Sequence, residues 1–333
     1  MADQEWGPTV RGRARRRRPL RLLGLLLVAV LLLAVGSAAW LAWRIPRAEV
    51  TDLDAGGTPM HVLVVGSDSR EDLTPEQRRE LTTGATPGDR ADTIFVMSVR
   101  GSEVALLAFP RDLWVPRCDG SVGRINAAED IDGPGCLVRT VRDLSGIDVQ
   151  HYVRVTFGGF VNIVDAVGGV ELCLEEAISD RDAGIDLPAG CQRLDGPDAL
   201  GYVRVRKIDD DLGRIERQQR FLKALASEIA SPQTLLNPVR WVTVSTQAGD
   251  AVLVDRGMGI VPLGRLGLGA RGLAGGDAVT HVVPASPHTT GGGAQVLRIR
   301  EAEAEAVFSR FRDGSIFDEI APTPDATGSG ATR

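Results

Sequence analysis

Residues Leu22 to Trp43 carry no charged side chain and are bounded by Arg21 and Arg44. As a helix, these 22 residues would rise about 33 Å, the thickness of a bilayer's hydrocarbon core. Seven arginines (Arg11, Arg13, Arg15 to Arg18 and Arg21) precede the run. The positive-inside bias therefore leaves the amino end cytoplasmic and everything after Arg44 outside, with Trp40 and Trp43 at the outer interface. A cleaved signal peptide is the competing reading, because Gly36-Ser37-Ala38-Ala39 would suit a peptidase, although the run exceeds a usual signal-peptide core. Both readings export the rest of the chain. The expected layout is a basic arm (1–21), a transmembrane helix (22–43), a tether (44–58) interrupted by Pro46, Gly56 and Gly57, an extracytoplasmic domain (59–312) and a disordered tail (313–333).

The net charge of −6 conceals an asymmetry: residues 1–21 carry +5, leaving −11 on the remainder. An exported domain so acidic is a poor match for nucleic acid, and the arginine arm is explained by topology. Cys118 and Cys136 are 18 positions apart, as are Cys173 and Cys191. None forms a close pair suited to zinc or redox chemistry, and an oxidising compartment would let all four join. Of three possible connectivities, Cys118–Cys136 with Cys173–Cys191 is preferred; four buried thiols remain the alternative.

The exported part mixes strands and helices without a second break in composition. Runs at 61–65, 93–99, 103–109, 152–155, 170–174 and 200–205 read as strands, and 134–147, 157–167 and 214–230 as helices. The fold class expected is α/β: one three-layer α-β-α domain with a central mixed sheet. GxxxxGK[ST], GxGxxG and GxSxG motifs are absent, so nucleotide hydrolysis and serine-hydrolase chemistry have no support. His61, His151, His281 and His288 show no ligand spacing.

The chemistry gathers at predicted strand ends. If Val99 faces Glu103 in a hairpin, Asp92 lies opposite Pro110, with Arg90 and Arg111 beside them; Asp68 follows the first strand. Val203-Arg204-Val205-Arg206, read as a strand, puts Arg204 and Arg206 on one face. Arg214, Gln218, Phe221 or Leu222, Leu225 and Ile229 recur as one stripe of a helix. Polar groups heading such a stripe need a partner, and Arg binds phosphate oxygens bidentately. Arg90, Arg111, Arg204, Arg206, Arg214 and Gln218 thus form a candidate pyrophosphate cage, with Asp68 and Asp92 as Mg²⁺ ligands. Each residue also has a plainer role: Asp68 as a turn or helix cap, Asp92 as an ion-pair partner of Arg90, Arg204 and Arg206 on a solvated edge, Asp112 as the group that orients Arg111.

These residues stand in a series of motifs: Val64-Val65-Gly66-Ser67-Asp68-Ser69-Arg70, Arg90-Ala91-Asp92-Thr93, Phe109-Pro110-Arg111-Asp112, Arg124-Ile125-Asn126-Ala127-Ala128, Val164 to Val170, Ala199 to Arg206, and Gly213-Arg214 with Arg217-Gln218-Gln219. Across about residues 61–230, and more weakly to 312, the chain resembles the LytR-CpsA-Psr family of cell-envelope glycopolymer transferases, of the actinobacterial type. The resemblance implies a Mg²⁺-dependent phosphotransferase moving a phosphoglycan from a polyprenyl diphosphate carrier to a peptidoglycan hydroxyl. It implies Asp68 and Asp92 on the metal side, with Asp92, Arg90 and Arg111 catalytic. Arg204, Arg206, Arg214, Gln218 and Arg124 would bind the substrate, and an apolar groove for the lipid would run between sheet and helices. Arg124 stands where the family commonly has Lys, and Lys207 where it often has His. The rival readings are a polyprenyl-phosphate-binding regulator and a polyprenyl diphosphate pyrophosphatase.

Overall fold

The structure, a computed structural model, describes residues 44–67, 91–205, 211–235 and 237–320. The expected basic arm and membrane helix lie outside them. Among the described residues no helix is long and apolar enough to cross a membrane.

Seven strands form a central mixed sheet: β1 (Arg47–Ala48), β2 (Met60–Ser67), β3 (Ala91–Arg100), β4 (Glu103–Phe109), β7 (His151–Thr156), β12 (Val252–Asp255) and β13 (Ala278–Val282), in the order β1-β12-β7-β2-β3-β4-β13. β2 pairs in parallel with β7 and antiparallel with β3. Helices α1 (Glu129–Ser145), α2 (Phe157–Ala166), α3 (Gly196–Arg204), α4 (Asp211–Ile229), α5 (Pro232–Leu235), α6 (Pro238–Ala251), α7 (Ile260–Gly275) and α8 (Glu301–Asp313) follow in chain order. Two-stranded ribbons are made by β5 (Trp114–Pro116) with β6 (Val122–Arg124), β8 (Val170–Leu174) with β11 (Gly190–Leu194), β9 (Ile178–Asp180) with β10 (Ile185–Leu187), and β14 (Ala285–Thr289) with β15 (Gln295–Ile299).

Alternation along the strands sends side chains to two helical layers. Leu63, Val65, Ile94, Val96 and Leu107 pack with Leu137, Val138 and Val141 of α1 and with Phe308 and Phe311 of α8. On the other side Met60, Val62 and Val99 pack with Ile45, Met258 and with Leu263 and Leu266 of α7. A further core joins α2, α3 and α4 to the β8–β11 ribbon through Val164, Leu172, Tyr202 and Phe221. The α/β class with a central mixed sheet is as expected.

Several local expectations are corrected. The β3–β4 hairpin pairs Val99 with Val104 and Arg100 with Glu103, one residue out of the expected register. Gly101, at φ +64°, permits a two-residue turn, and Arg100 Nε meets Glu103 Oε2 at 2.7 Å. The pairing ends at Ile94 with Phe109, short of both Asp92 and Pro110. Residues 200–205 are no strand: α3 occupies 196–204, started by Asp195, whose side chain accepts from the Asp198 amide, and by a proline in its first turn.

The segment expected to be a tether is docked. β1 pairs with β12, Ile45 is 8% exposed, and Asp52 meets Arg139 at 2.7 Å. That hydrogen bond holds the Asp52 carboxyl below its usual range. Residues 315–319 form a 3-10 helix with Ile316 and Phe317 buried, so packing extends past the boundary drawn at 312. Residues 321–333 lie outside the described residues.

Both preferred disulfides are formed, Cys118–Cys136 and Cys173–Cys191. The second joins directly opposed residues of β8 and β11. Closing loops of this size restricts the unfolded chain by about 3 kcal/mol each. Replacing Cys173 and Cys191 together by Ser is expected to lower the urea midpoint without changing far-UV circular dichroism; an unchanged midpoint would contradict a stabilising role.

His61 is buried beside Ser98, with Nδ1 2.7 Å from Ser98 Oγ, and burial lowers its pKa to about 4. The unfolded chain therefore takes up a proton between pH 6.5 and 4 that the native state refuses. Stability is full above about pH 6.5 and falls toward pH 4, by up to roughly 3 kcal/mol. His61→Gln should flatten that part of the stability profile relative to the parent protein, as measured by denaturant titrations at several pH values.

Candidate functional site

Between the sheet and helices α2, α3 and α4 lies a cavity of about 250 Å³. Its floor is made by β2 (Val64, Gly66), β3 (Thr93, Phe95), β4 (Leu106, Ala108) and β7 (Val155). Its roof is Phe157, Phe160 and Ile163 of α2, Leu200 of α3, and Phe221, Leu222 and Leu225 of α4. β7 runs straight into α2 because Thr156 caps the helix, its side chain accepting from the Gly159 amide at 3.1 Å. This abrupt turn brings Phe157 and Phe160 over the sheet. Gly159 is required where α2 meets α6, since a Cβ there would fall 2.2 Å from the Ala251 carbonyl oxygen. Phe160 and Phe221 close the roof with ring centroids 5.1 Å apart.

The cavity is polar at one end. There β2 and β7 finish and β3 begins, and Thr93, Arg111, Thr156, Arg204 and Gln218 join the lining. Arg111 stands on the turn after β4, closed by the Leu113 amide donating to the Pro110 carbonyl at 3.0 Å. Its Nε is 3.3 Å from Asp112 Oδ2, and Asp112 Oδ1 is 3.0 Å from Arg124 Nε. Asp112 therefore orients Arg111, as expected, and ties it to Arg124, whose Nη2 donates to the Gln295 carbonyl at 2.9 Å. Arg204 ends α3 with its guanidinium carbon 5.1 Å from the centre of the Phe157 ring. A cation there gains from both the ring face and the helix C-terminus. Gln218 Nε2 donates to the Val203 carbonyl at 3.4 Å.

Three predicted residues, Arg111, Arg204 and Gln218, are thus gathered at one cavity, and Arg124 joins through Asp112. The backbone of Asp92 takes an instructive place. Thr93 pairs with Gly66 and Ala91 with Ser67, so Asp92 is the extra residue of a β-bulge at the end of β3. Bulges at such ends re-aim a side chain. Arg214 lies on α4 four residues before Gln218, one turn along the same face. Asp68, Arg90 and Arg206 lie outside the described residues. Because 200–204 is helical, Arg204 and Arg206 are not a period-two strand pair. Among the described residues no group of three or more His, Cys, Asp or Glu is arranged to hold a metal.

One contributor was not singled out by residue patterning. Arg217 is 6% exposed, and its Nη1 donates to the carbonyls of Tyr202 and Val205 at 3.4 and 3.2 Å. It caps α3 where Arg204 sits. Its only sequence signal is its place in Arg217-Gln218-Gln219. On the opposite face of the sheet, away from the cavity, Tyr152 donates to Glu129 Oε1 at 2.7 Å, and Arg154 Nη1 lies 3.7 Å from the same oxygen.

The chain is 38% identical over 296 residues to a probable cell wall biosynthesis protein, LcpB, of Corynebacterium glutamicum, covering 87% of this chain and 70% of the relative. It is 29% identical over 246 residues to a polyisoprenyl-teichoic acid–peptidoglycan teichoic acid transferase, TagU, of Oceanobacillus iheyensis, covering 65% of this chain and 71% of that protein. Its fold matches a LytR-Csp2A-Psr enzyme from Actinomyces oris with a TM-score of 0.64 at 22% identity, over 81% of this chain and 96% of that one. Residues 44–302, which include the whole cavity, match the LytR_cpsA_psr family, and the chain belongs to it.

Proposed function

We propose that this protein is a membrane-anchored phosphotransferase that moves a phosphoglycan from a polyprenyl diphosphate carrier to a hydroxyl of peptidoglycan. One observation carries the reading: a single cavity, apolar through most of its lining, has guanidinium groups at one end. That is the shape and polarity of a prenyl chain joined to a phosphate headgroup. Relatives named as transferases of teichoic acid to peptidoglycan support the acceptor and the class of donor.

In this mechanism the diphosphate sits at the strand ends. Arg111, oriented by Asp112, and Arg204, backed by Phe157, take its oxygens; the acceptor hydroxyl attacks the phosphorus that bears the glycan. The bond from that phosphorus to the bridging oxygen breaks, and polyprenyl phosphate leaves with the bond's electrons, its new charge met by the guanidiniums. The hydroxyl proton passes to a carboxylate or phosphate oxygen at the same end. Donor sets made of one or two carboxylates with phosphate oxygens and water suit Mg²⁺. Asp92 and Asp68 are the carboxylates proposed to provide them. When bound, the ion would supply further neutralisation of the diphosphate. The two disulfides fit an oxidising, extracytoplasmic location, and the uncharged run at 22–43 fits an anchor with a cytoplasmic amino end.

The test is a transfer assay with full-length protein, Mg²⁺, lipid-linked glycan and peptidoglycan. Polyprenyl phosphate should be released only when acceptor is present, and Arg111→Ala or Arg204→Ala should lower turnover by about 10²-fold or more, the usual cost of losing a transition-state anion contact. Release into water without acceptor would favour a pyrophosphatase. Binding without turnover under every condition would favour the regulator.

A further inference from the structure

Helix α7 carries an outward face that the cavity does not use. Ile260, Val261 and Leu268 are 55, 69 and 53% exposed, and Arg265 and Arg271 are exposed between and beyond them. Val261, Arg265 and Leu268 recur at the spacing of one helical face, with Arg271 one turn further. From Arg256 to Gly276 the chain has three arginines and no acid, within a protein of net charge −6. The opposite side of α7 faces the sheet, where Leu263 and Leu266 pack against the core. The apolar face therefore has no room to roll inward.

Where the chain enters the described domain indicates what covers this face. The uncharged run ends at Trp43, one residue before Arg44. Ile45 then packs in the same cluster as Leu263 and Leu266 of α7. With consecutive Cα atoms about 3.8 Å apart, a chain leaving a bilayer at Trp43 would reach the cluster that α7 packs against within two residues. An anchor ending at Trp43 would hold α7 at the membrane surface.

We propose that α7 lies flat on the outer surface of an anionic bilayer, with Val261 and Leu268 at the boundary of headgroups and acyl chains and Arg265 and Arg271 on lipid phosphates. Apolar side chains flanked by arginines are the composition of interfacial helices. The inference rests on the anchored reading of residues 22–43 and adds an orientation to it. α4 packs against α7 and carries Leu222 and Leu225 into the cavity lining. The helix that walls the cavity is thereby the neighbour of the helix on the lipid, a short route for a prenyl chain.

The full chain, carrying photoreactive p-benzoylphenylalanine in place of Val261, is placed in nanodiscs of phosphatidylglycerol and phosphatidylcholine, irradiated and analysed by mass spectrometry. The control carries the same probe in place of Val122, which is 53% exposed on β6, in the layer across the sheet from α7. Several-fold more phospholipid adduct is expected at 261 than at 122, and Arg265→Gln with Arg271→Gln should reduce it. Equal yields from protein that co-elutes with nanodiscs would overturn the docking of α7 and leave the anchor standing. Protein that fails to enter nanodiscs at all would overturn the anchor, and the docking with it.

Discussion

Positive side chains facing a low-dielectric hollow repel one another unless something negative joins them, and this constraint organises the site. Arg111 is steadied by Asp112, which it shares with Arg124; Arg204 is steadied by the Phe157 ring and the end of α3. In the proposed function a doubly phosphorylated headgroup would join these guanidiniums, and the apolar lining beneath would hold its hydrocarbon. The fold serves this by ending β2 and β7, and starting β3, at one level, so that groups far apart in sequence meet there.

The local devices that hold the cations are cheap in residues. A turn closed by Pro110 and Leu113 presents Arg111. Asp195 starts α3, and Arg217 on α4 closes it. Thr156 removes any loop between β7 and α2. Because Arg217 is nearly buried and bonded to carbonyls at the end of α3, it acts as a clamp between helices, fixing the register of α3 against α4. That register decides where Arg204 and Gln218 point.

Much of this was legible in the residues. The apolar runs of β2 and β4, the glycine pair that ends α2, and the spacing of the cysteines signalled their elements directly. The Arg-Asp pair after β4 signalled that Asp112 orients Arg111. Other features were hidden for physical reasons. Val203-Arg204-Val205 alternates like a strand, but Asp195 and Pro197 had already committed the chain to a helix, and a capped start outweighs three residues of alternation. The bulge at Asp92 leaves no trace in periodicity, because one inserted residue is defined only by its partner strand. The docking of Ile45 and β1 depends on an open sheet edge at β12 that no local pattern near residue 45 reveals.

In the proposed function one site reads both ends of an amphiphile. Its most direct test is equilibrium binding of geranylgeranyl diphosphate, inorganic pyrophosphate and geranylgeraniol to the full-length protein. If cations and apolar lining act on one ligand, the prenyl diphosphate should bind at least about 100-fold more tightly than either fragment, a difference of roughly 3 kcal/mol. Affinity unchanged by removal of the prenyl chain, or of the diphosphate, would contradict it.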